Sequence, residues 1–358
     1  MTSRSGTPEL LDALIRTPAP SGYETPAAEV WRQAARAIDG AELRTDTLGS
    51  SVVEITGGEE AAPRLAVVGH IDEIGLHITY IDDEGFLWFG PIGGWDPQIL
   101  VGQRVTVIGF EGQIPGVLGK KPIHLLKEEA RKKPAKLEEM HIDIGAASRE
   151  EAEAMVRIGD VAVLAAEPLE FPNGRLVSRS LDNRLGSYVA LEVARRVAEK
   201  GGNAAGVVGA AVAQEEITFG GSRTTAFALD PDVAVVVDVT HATDAPGIDK
   251  KEQGEHKLGS GPAIGRGSTL NHHVCQMLVE TAEAEGIDHT IEASGRHTGT
   301  DADAIQIARA GIPCGLVSLP LRYMHSSVEM AQLSDVEAAI QLLVAFAARL
   351  GVDSDFSR

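Results

Sequence analysis

Six side chains in five separate stretches could together hold divalent cations and activate a water between them. His70 lies in Gly69-His-Ile-Asp-Glu-Ile-Gly75, two residues before Asp72. Asp182 lies in Ser180-Leu-Asp-Asn-Arg184, Glu215 and Glu216 in Gln214-Glu-Glu216, Asp238 in Val237-Asp-Val-Thr240, and His325 in Arg322-Tyr-Met-His-Ser326. Imidazole and carboxylate donors in this mixture suit zinc-like ions. If His70 and Asp238 hold one ion, His325 and Glu216 a second, and Asp182 bridges them, each ion has three protein ligands. Each then keeps a position for water or substrate. A bridging carboxylate fits ions about 3.5–4 Å apart, and a water shared by them is deprotonated near neutral pH. Glu215 is left to take that water's proton and pass it to a leaving amine. Asp72 can reach the second nitrogen of the His70 ring and fix its orientation.

Taken singly, each residue also has a plainer reading. Buried His–Asp pairs often only satisfy each other, Glu-Glu can be an exposed acidic loop, and His325 can be a polar loop residue. Asp182 can be a helix N-cap followed by a surface arginine. What joins them is position. The apolar runs Arg64–Gly69, Gly206–Ala213, Val233–Val237 and Cys314–Leu319 read as buried strands, with His70, the Glu215–Glu216 pair, Asp238 and His325 at or just past their ends, while Asp182 stands at the mouth of a helix. Open α/β sheets bind ligands at that edge.

The elements around these strands alternate. Helical spacing recurs near Leu185–Glu199, Gly221–Ala228, Asn271–Glu285, Thr300–Ala310 and Asp335–Leu350, with further helices at Pro8–Arg16 and Glu24–Ile38. The expected fold is α/β, a mostly parallel sheet sandwiched by helices, formed by residues 1–77 and 168–358. Between them, residues 78–167 show short alternating stretches broken by glycine, which predicts a small inserted β-rich domain. In that insert, Ser148-Arg-Glu-Glu151 is a capping box.

Composition narrows the setting. The chain has 358 residues, 43% of them hydrophobic, enough for a large core. No run approaches the roughly 20 apolar residues of a membrane helix. The N-terminus lacks a signal-peptide core, so the expected compartment is the cytoplasm. Cys275 and Cys314, far apart within apolar patterns, read as reduced buried thiols. A formal charge of −20 argues against a nucleic-acid partner.

The five stretches, joined by Gly299-Thr-Asp-Ala302, resemble the TET-type dinuclear metalloaminopeptidases, metallopeptidase family forty-two, which includes glutamyl and deblocking aminopeptidases. Within the insert, Gly93-Gly94 with Asp96-Pro97, Gly102-Gln-Arg-Val105 and Ile142-Asp-Ile-Gly145 are similar too, so the resemblance covers nearly the whole chain. It implies a phosphorylase/hydrolase-like core and removal of N-terminal residues from short peptides. It also implies two divalent ions per subunit, zinc or cobalt, on His70, Asp182, Glu216, Asp238 and His325, with Asp182 bridging. Glu215 matches the family's catalytic base and Asp72 its supporting catalytic aspartate. The insert corresponds to a dimerisation domain of subunits that form tetrahedral homo-dodecamers around an internal cavity.

Other chemistry-bearing residues are read as ordinary. The segment Thr240–Gly261, with His241, Asp244, Lys250, Lys251 and His256, is expected as a solvated loop. His124, His272, His273 and His297 are expected as polar residues rather than ligands. Three other readings compete with the aminopeptidase. A two-metal N-acyl amino acid deacylase would use the same ligands. An endoglucanase-type glycosidase needs two carboxylates flanking a sugar bond, one of them protonated, and the 4% aromatic content offers few stacking platforms. A non-catalytic shell protein is opposed by the intact ligand set and Glu215.

Overall fold

The structure, a computed structural model, describes residues 6–357. Met1–Ser5, part of the N-terminus expected to lack a signal-peptide core, lie outside the described residues. The main sheet opens with β1 (Glu42–Thr45), β2 (Ser51–Ile55) and β3 (Arg64–His70). The chain then leaves it for six strands: β4 (Gly75–Ile81), β5 (Leu87–Ile92), β6 (Arg104–Gly109), β7 (Gly112–Lys120), β8 (Met140–Asp143) and β9 (Val161–Leu164). It returns through β10 (Leu169–Phe171), β11 (Arg175–Ser178), β12 (Gly206–Val212) and β13 (Val233–His241). The last strands are β14 (Ala263–Gly267), β15 (Thr290–Ser294), β16 (Cys314–Arg322) and β17 (Glu329–Gln332).

The main sheet runs β1-β2-β12-β3-β13-β16-β17-β11-β10, with β14 and β15 branching from β16. Its centre, β12-β3-β13-β16, is parallel, as near-continuous Val/Ala runs covered on both faces demand. Antiparallel strands extend it on either side. Alternation along β13 divides the core. Val233, Val235 and Val237 pack into the cluster shared with helices Leu181–Glu199, His272–Glu285 and Leu333–Arg349. Ala234 and Val236 face the cluster shared with helix Gly220–Leu229. Strands β4 to β9 close into an antiparallel barrel, order β4-β5-β8-β7-β6-β9, around a core of its own that includes Leu76, Leu87, Val107 and Ile142.

Two glycines set how closely the layers meet. A Cβ on Gly69 of β3 would lie 2.2 Å from the Gly186 carbonyl carbon, and one on Gly186 would lie 2.3 Å from the Val237 carbonyl oxygen. The N-terminal turns of helix Leu181–Glu199 therefore rest directly on the strands that carry His70 and Asp238.

The helix expected at Thr300–Ala310 is confined to Ala302–Ile305. The Asp303 carboxylate accepts the N–H groups of Thr298 and Gly299 at 2.9 and 2.8 Å, and Arg309 turns left-handed at φ 51°, so the segment is mostly turns. In the barrel, Ser148 does cap helix Arg149–Glu153, accepting the Glu151 N–H. No helix among the described residues is long and apolar enough to cross a membrane.

Candidate metal centre

All five stretches converge at the carboxyl edge of the parallel strands. His70 ends β3, and its Nε2 lies 3.2 Å from Asp182 Oδ1 and 3.7 Å from Glu215 Oε2. His325 Nε2 lies 3.2 Å from Asp182 Oδ2 and 3.4 Å from Glu216 Oε1. Asp182 thus offers one oxygen to each imidazole. Ligand atoms of His70, Asp182 and Asp238 fall within 4.8 Å of one another, and so do those of Asp182, Glu216 and His325. A third such grouping is His70, Glu215 and Glu216.

Both rings are oriented from behind. His70 Nδ1 faces the Asp72 carbonyl oxygen at 3.2 Å and Asp72 Oδ1 at 3.4 Å. His325 Nδ1 faces the carbonyl oxygen of Gly94 at 2.9 Å. These oxygens only accept, so each Nδ1 carries hydrogen and each Nε2 turns to the carboxylates. Gly94 lies just beyond β5, so the barrel borders the site directly.

Local sequence explains the placing of Asp182. Ser180 is left-handed at φ 59°, and Asp182 and Asn183 have non-helical dihedrals at the head of their helix. Asn183, not Asp182, does the capping: its Oδ1 accepts the Gly186 N–H at 2.8 Å. Its Nδ2 donates to the Val237 carbonyl at 2.8 Å, beside Asp238. The Asp182 carboxylate is left free to face the histidines.

Glu215 and Glu216 open the short helix Glu215–Thr218 rather than ending a strand, because β12 stops at Val212 and Gln214 turns left-handed at φ 61°. Neighbours on a helical turn still diverge by about 100°. Asp72 pins the pair, accepting both backbone N–H groups at 3.1 Å, one on each oxygen. Ser21 donates its hydroxyl to the same carboxylate at 2.5 Å.

Burial makes this much charge costly. His325 is the most open member at 32% side-chain exposure, whereas His70, Asp182, Glu215 and Asp238 are buried. Desolvation opposes a charge on His70, but Glu215, Asp182 and Asp72 outweigh it and hold the ring well above its ordinary range. His325 is pushed up to about 11: burial opposes, while Asp182 and Glu216 prevail. Burial pushes Glu215 up to about 11; His70 opposes this, and Asp238, Asp301 and Glu216 add to it. Burial likewise raises Asp238 and Glu216. Asp182 goes the other way: burial opposes, but both histidines hold it well below the carboxylate range.

The donor set passes a simple test of fit for cations. Glu216 Oε1 is buried with no hydrogen-bond partner although it points toward His325. Such a group is expensive unless something positive meets it. Imidazole nitrogens and carboxylate oxygens are the donors that zinc-like ions take.

Several supporting residues have no role assigned from the sequence, although Glu73 and Asp301 fall within the family-like stretches. Glu329 accepts the N–H of Asp182 at 3.1 Å and that of His325 at 2.9 Å. Glu73 receives Arg179 and Arg184, the latter at 3.2 Å. Glu24 accepts the Gln214 N–H at 3.0 Å, and burial with the charge of Asp72 pushes it up to about 7. Asp301 is buried behind the cluster, and burial raises it to about 6 against the charge of His70.

The remaining histidines stay outside every such grouping among the described residues. His124, His241, His272, His273 and His297 are exposed. The segment Thr240–Gly261 is not wholly solvated. His256 is buried with Nδ1 2.7 Å from the Thr290 hydroxyl, and Asp244 pairs with Arg322 at 2.5 Å, because this segment packs back on β15 and β16.

Comparison with known proteins agrees with this geometry. The family profile described as M42 glutamyl aminopeptidase matches residues 49–342. A lysyl aminopeptidase of Pyrococcus furiosus is 35% identical over 342 residues, covering 93% of this chain and 94% of that one. A TET aminopeptidase from the marine sediment archaeon Thaumarchaeota archaeon SCGC AB-539-E09 superposes with a TM-score of 0.90 at 35% identity, covering 96% of each chain. The Pyrococcus horikoshii TET1 peptidase, described as assembling into a tetrahedron or a large octahedral shell, gives 0.85 at 31% identity over 96% of this chain and 99% of that one. Fold and site thus define a metal-dependent aminopeptidase. The chain belongs to the M42 glutamyl aminopeptidase family.

Proposed function

We propose that this aminopeptidase removes N-terminal residues from short peptides with two divalent ions, zinc or cobalt, held by the five ligands that converge at the sheet edge. The observation that carries the reading is the pair of triads, His70–Asp182–Asp238 and Asp182–Glu216–His325, which share one carboxylate. His70 and Asp238 would hold one ion, Glu216 and His325 the other, and Asp182 both. Bound there, the ions would supply a water that is deprotonated near neutral pH and a Lewis acid for the scissile carbonyl.

The chain's own residues do the rest. Glu215 accepts the proton of the attacking water and returns it to the leaving amine. Its burial suits the second task, because a carboxyl in dry surroundings holds a proton readily. Asp72 orients the His70 ring and holds the backbone of the Glu pair, so base and ligand keep a fixed separation.

We further take residues 78–167 as the inserted unit through which subunits associate, with a homo-dodecamer as the expected particle. A solved PhTET1 structure, 32% identical and described as a dodecamer, supports this, and light scattering on the intact protein checks it. The cytoplasm is the expected compartment, in keeping with two buried free cysteines.

The test of the function uses protein loaded with zinc or cobalt and peptides offered with free and with acetylated N-termini, followed by mass spectrometry. Stepwise shortening of the free peptides alone is the expected result. Release of acyl groups, or cleavage of the blocked peptides, would replace the reading with a deacylase or deblocking activity.

A further inference from the structure

Glu329 is the first residue of β17, four residues after His325, and only 2% exposed. Its backbone pairs with Ser178 at the end of β11, and β11 leads within four residues to Asp182. This register places one carboxylate between two segments that are distant in sequence. Glu329 Oε2 accepts the Asp182 N–H at 3.1 Å, and Oε1 accepts the His325 N–H at 2.9 Å. Glu329 belongs to none of the ligand groupings among the described residues, because both its oxygens are turned to backbone.

The segment it holds needs holding. Tyr323 and His325 are both left-handed at φ 60°, a region that side chains other than glycine enter at a cost and keep only where neighbours over-determine it. Beyond Glu329, His325 is fixed through Nδ1 to Gly94. Glu216, the third member of the Asp182–Glu216–His325 triad, is fixed separately by Asp72.

We infer that Glu329 is a positioning residue for the second cation: by binding the N–H groups of Asp182 and His325 with one carboxylate, it sets the separation of two of that cation's three ligands. The inference rests on the assignment of Asp182 and His325 as ligands. It predicts an unequal effect. The Asp182–Glu216–His325 cation loses two positioned ligands when Glu329 is altered, whereas the His70–Asp182–Asp238 cation loses one. Partners that orient a ligand typically contribute 10–100-fold to metal affinity.

The test is a cobalt titration of the intact wild-type protein and of Glu329→Gln, read by visible absorption of the bound cobalt and by metal content after desalting. Far-ultraviolet circular dichroism and urea unfolding in chelator report the fold. An amide has the size of the carboxylate but only one accepting oxygen, so it cannot satisfy both N–H groups. The expected result is two cobalt ions in the wild type. In the folded variant one ion binds about 10–100-fold more weakly with a changed spectrum, and the other stays within several-fold. Glu329→Asp, which keeps the charge but draws it back by one methylene, is measured alongside. It should show the same selective loss, and it decides the matter if the glutamine variant does not fold. Two ions bound with wild-type affinity and spectrum in a folded variant would overturn the positioning role alone. A wild type that takes up no pair of ions would overturn the ligand assignment, and this inference with it.

Discussion

Glu216 turns a buried oxygen that lacks a hydrogen bond toward His325 Nε2 at 3.4 Å, whereas Glu215 places its carboxyl 3.7 Å from His70 Nε2. Two neighbouring glutamates thus meet different surroundings, and their replacement should have different consequences. For Glu215→Gln, metal content stays near that of the wild type while kcat falls by about 10²–10⁴-fold, the usual contribution of a general base. Elemental analysis beside steady-state kinetics checks both halves. Asp182 presents one oxygen to each histidine, so Asp182→Ala should deplete both ions together rather than one. Metal content after desalting reads that outcome, and retention of one full equivalent would contradict the bridging assignment.

The proposed ligands sit on separate elements, so their spacing depends on how those elements meet. Gly69 lets helix Leu181–Glu199 touch β3 without an intervening side chain. In Gly69→Ala the new methyl would meet backbone atoms, which must retreat. Overpacking of this kind typically costs about 1–3 kcal/mol. The expected result is a lower urea midpoint together with weaker metal binding, since the retreating helix carries Asp182 away from His70. A second device ties the N-terminal segments to the site. Glu73 lies just beyond β3 and receives Arg179 and Arg184, whose guanidinium groups also donate to the carbonyls of Arg16 and Leu14. Burial pulls Arg184 down to about 10, a sign of how little water reaches it. Replacing Glu73 with Gln leaves two buried cations without their counter-charge, and about 3–5 kcal/mol of destabilisation is expected by urea unfolding.

At the scale of the whole chain, folding brings acidic groups together at one sheet edge in a protein that already carries a formal charge of −20. Cations bound by the folded state and not by the unfolded chain stabilise it by mass action, about 2.7 kcal/mol for a site at a hundred times its Kd. Removing metal with a chelator should therefore lower the melting temperature, and adding zinc or cobalt back should restore it. Magnesium should restore it less, because it prefers several waters to imidazole. The barrel adds a second link between architecture and site. Its Gly93-Gly94 corner supplies the acceptor for His325, so the segment that leaves the main sheet also takes part in orienting a proposed ligand.

Much of this was written in the residues themselves. The apolar runs that become β3, β12, β13 and β16 are recognisable because strands covered on both faces must be apolar throughout. His and carboxylate residues at the ends of such runs stand out because the edge is where a buried strand can turn polar. That is why His70, Glu216, Asp238 and His325 offer themselves as candidate ligands, while Asp182 does so at the mouth of a helix. Tertiary structure alone decided the rest. Glu329 meets Asp182 across 147 residues of sequence, and Arg184 meets Glu73 across 111. Asp72 reaches the backbone of Glu215 rather than only the ring of His70. Each of these contacts joins a side chain to a group that every residue possesses, or a charge to a distant counter-charge, so residue type and local period carry no trace of it. The close approach of Gly69 and Gly186 is of the same kind: a missing Cβ becomes informative only when the layer above it is in place.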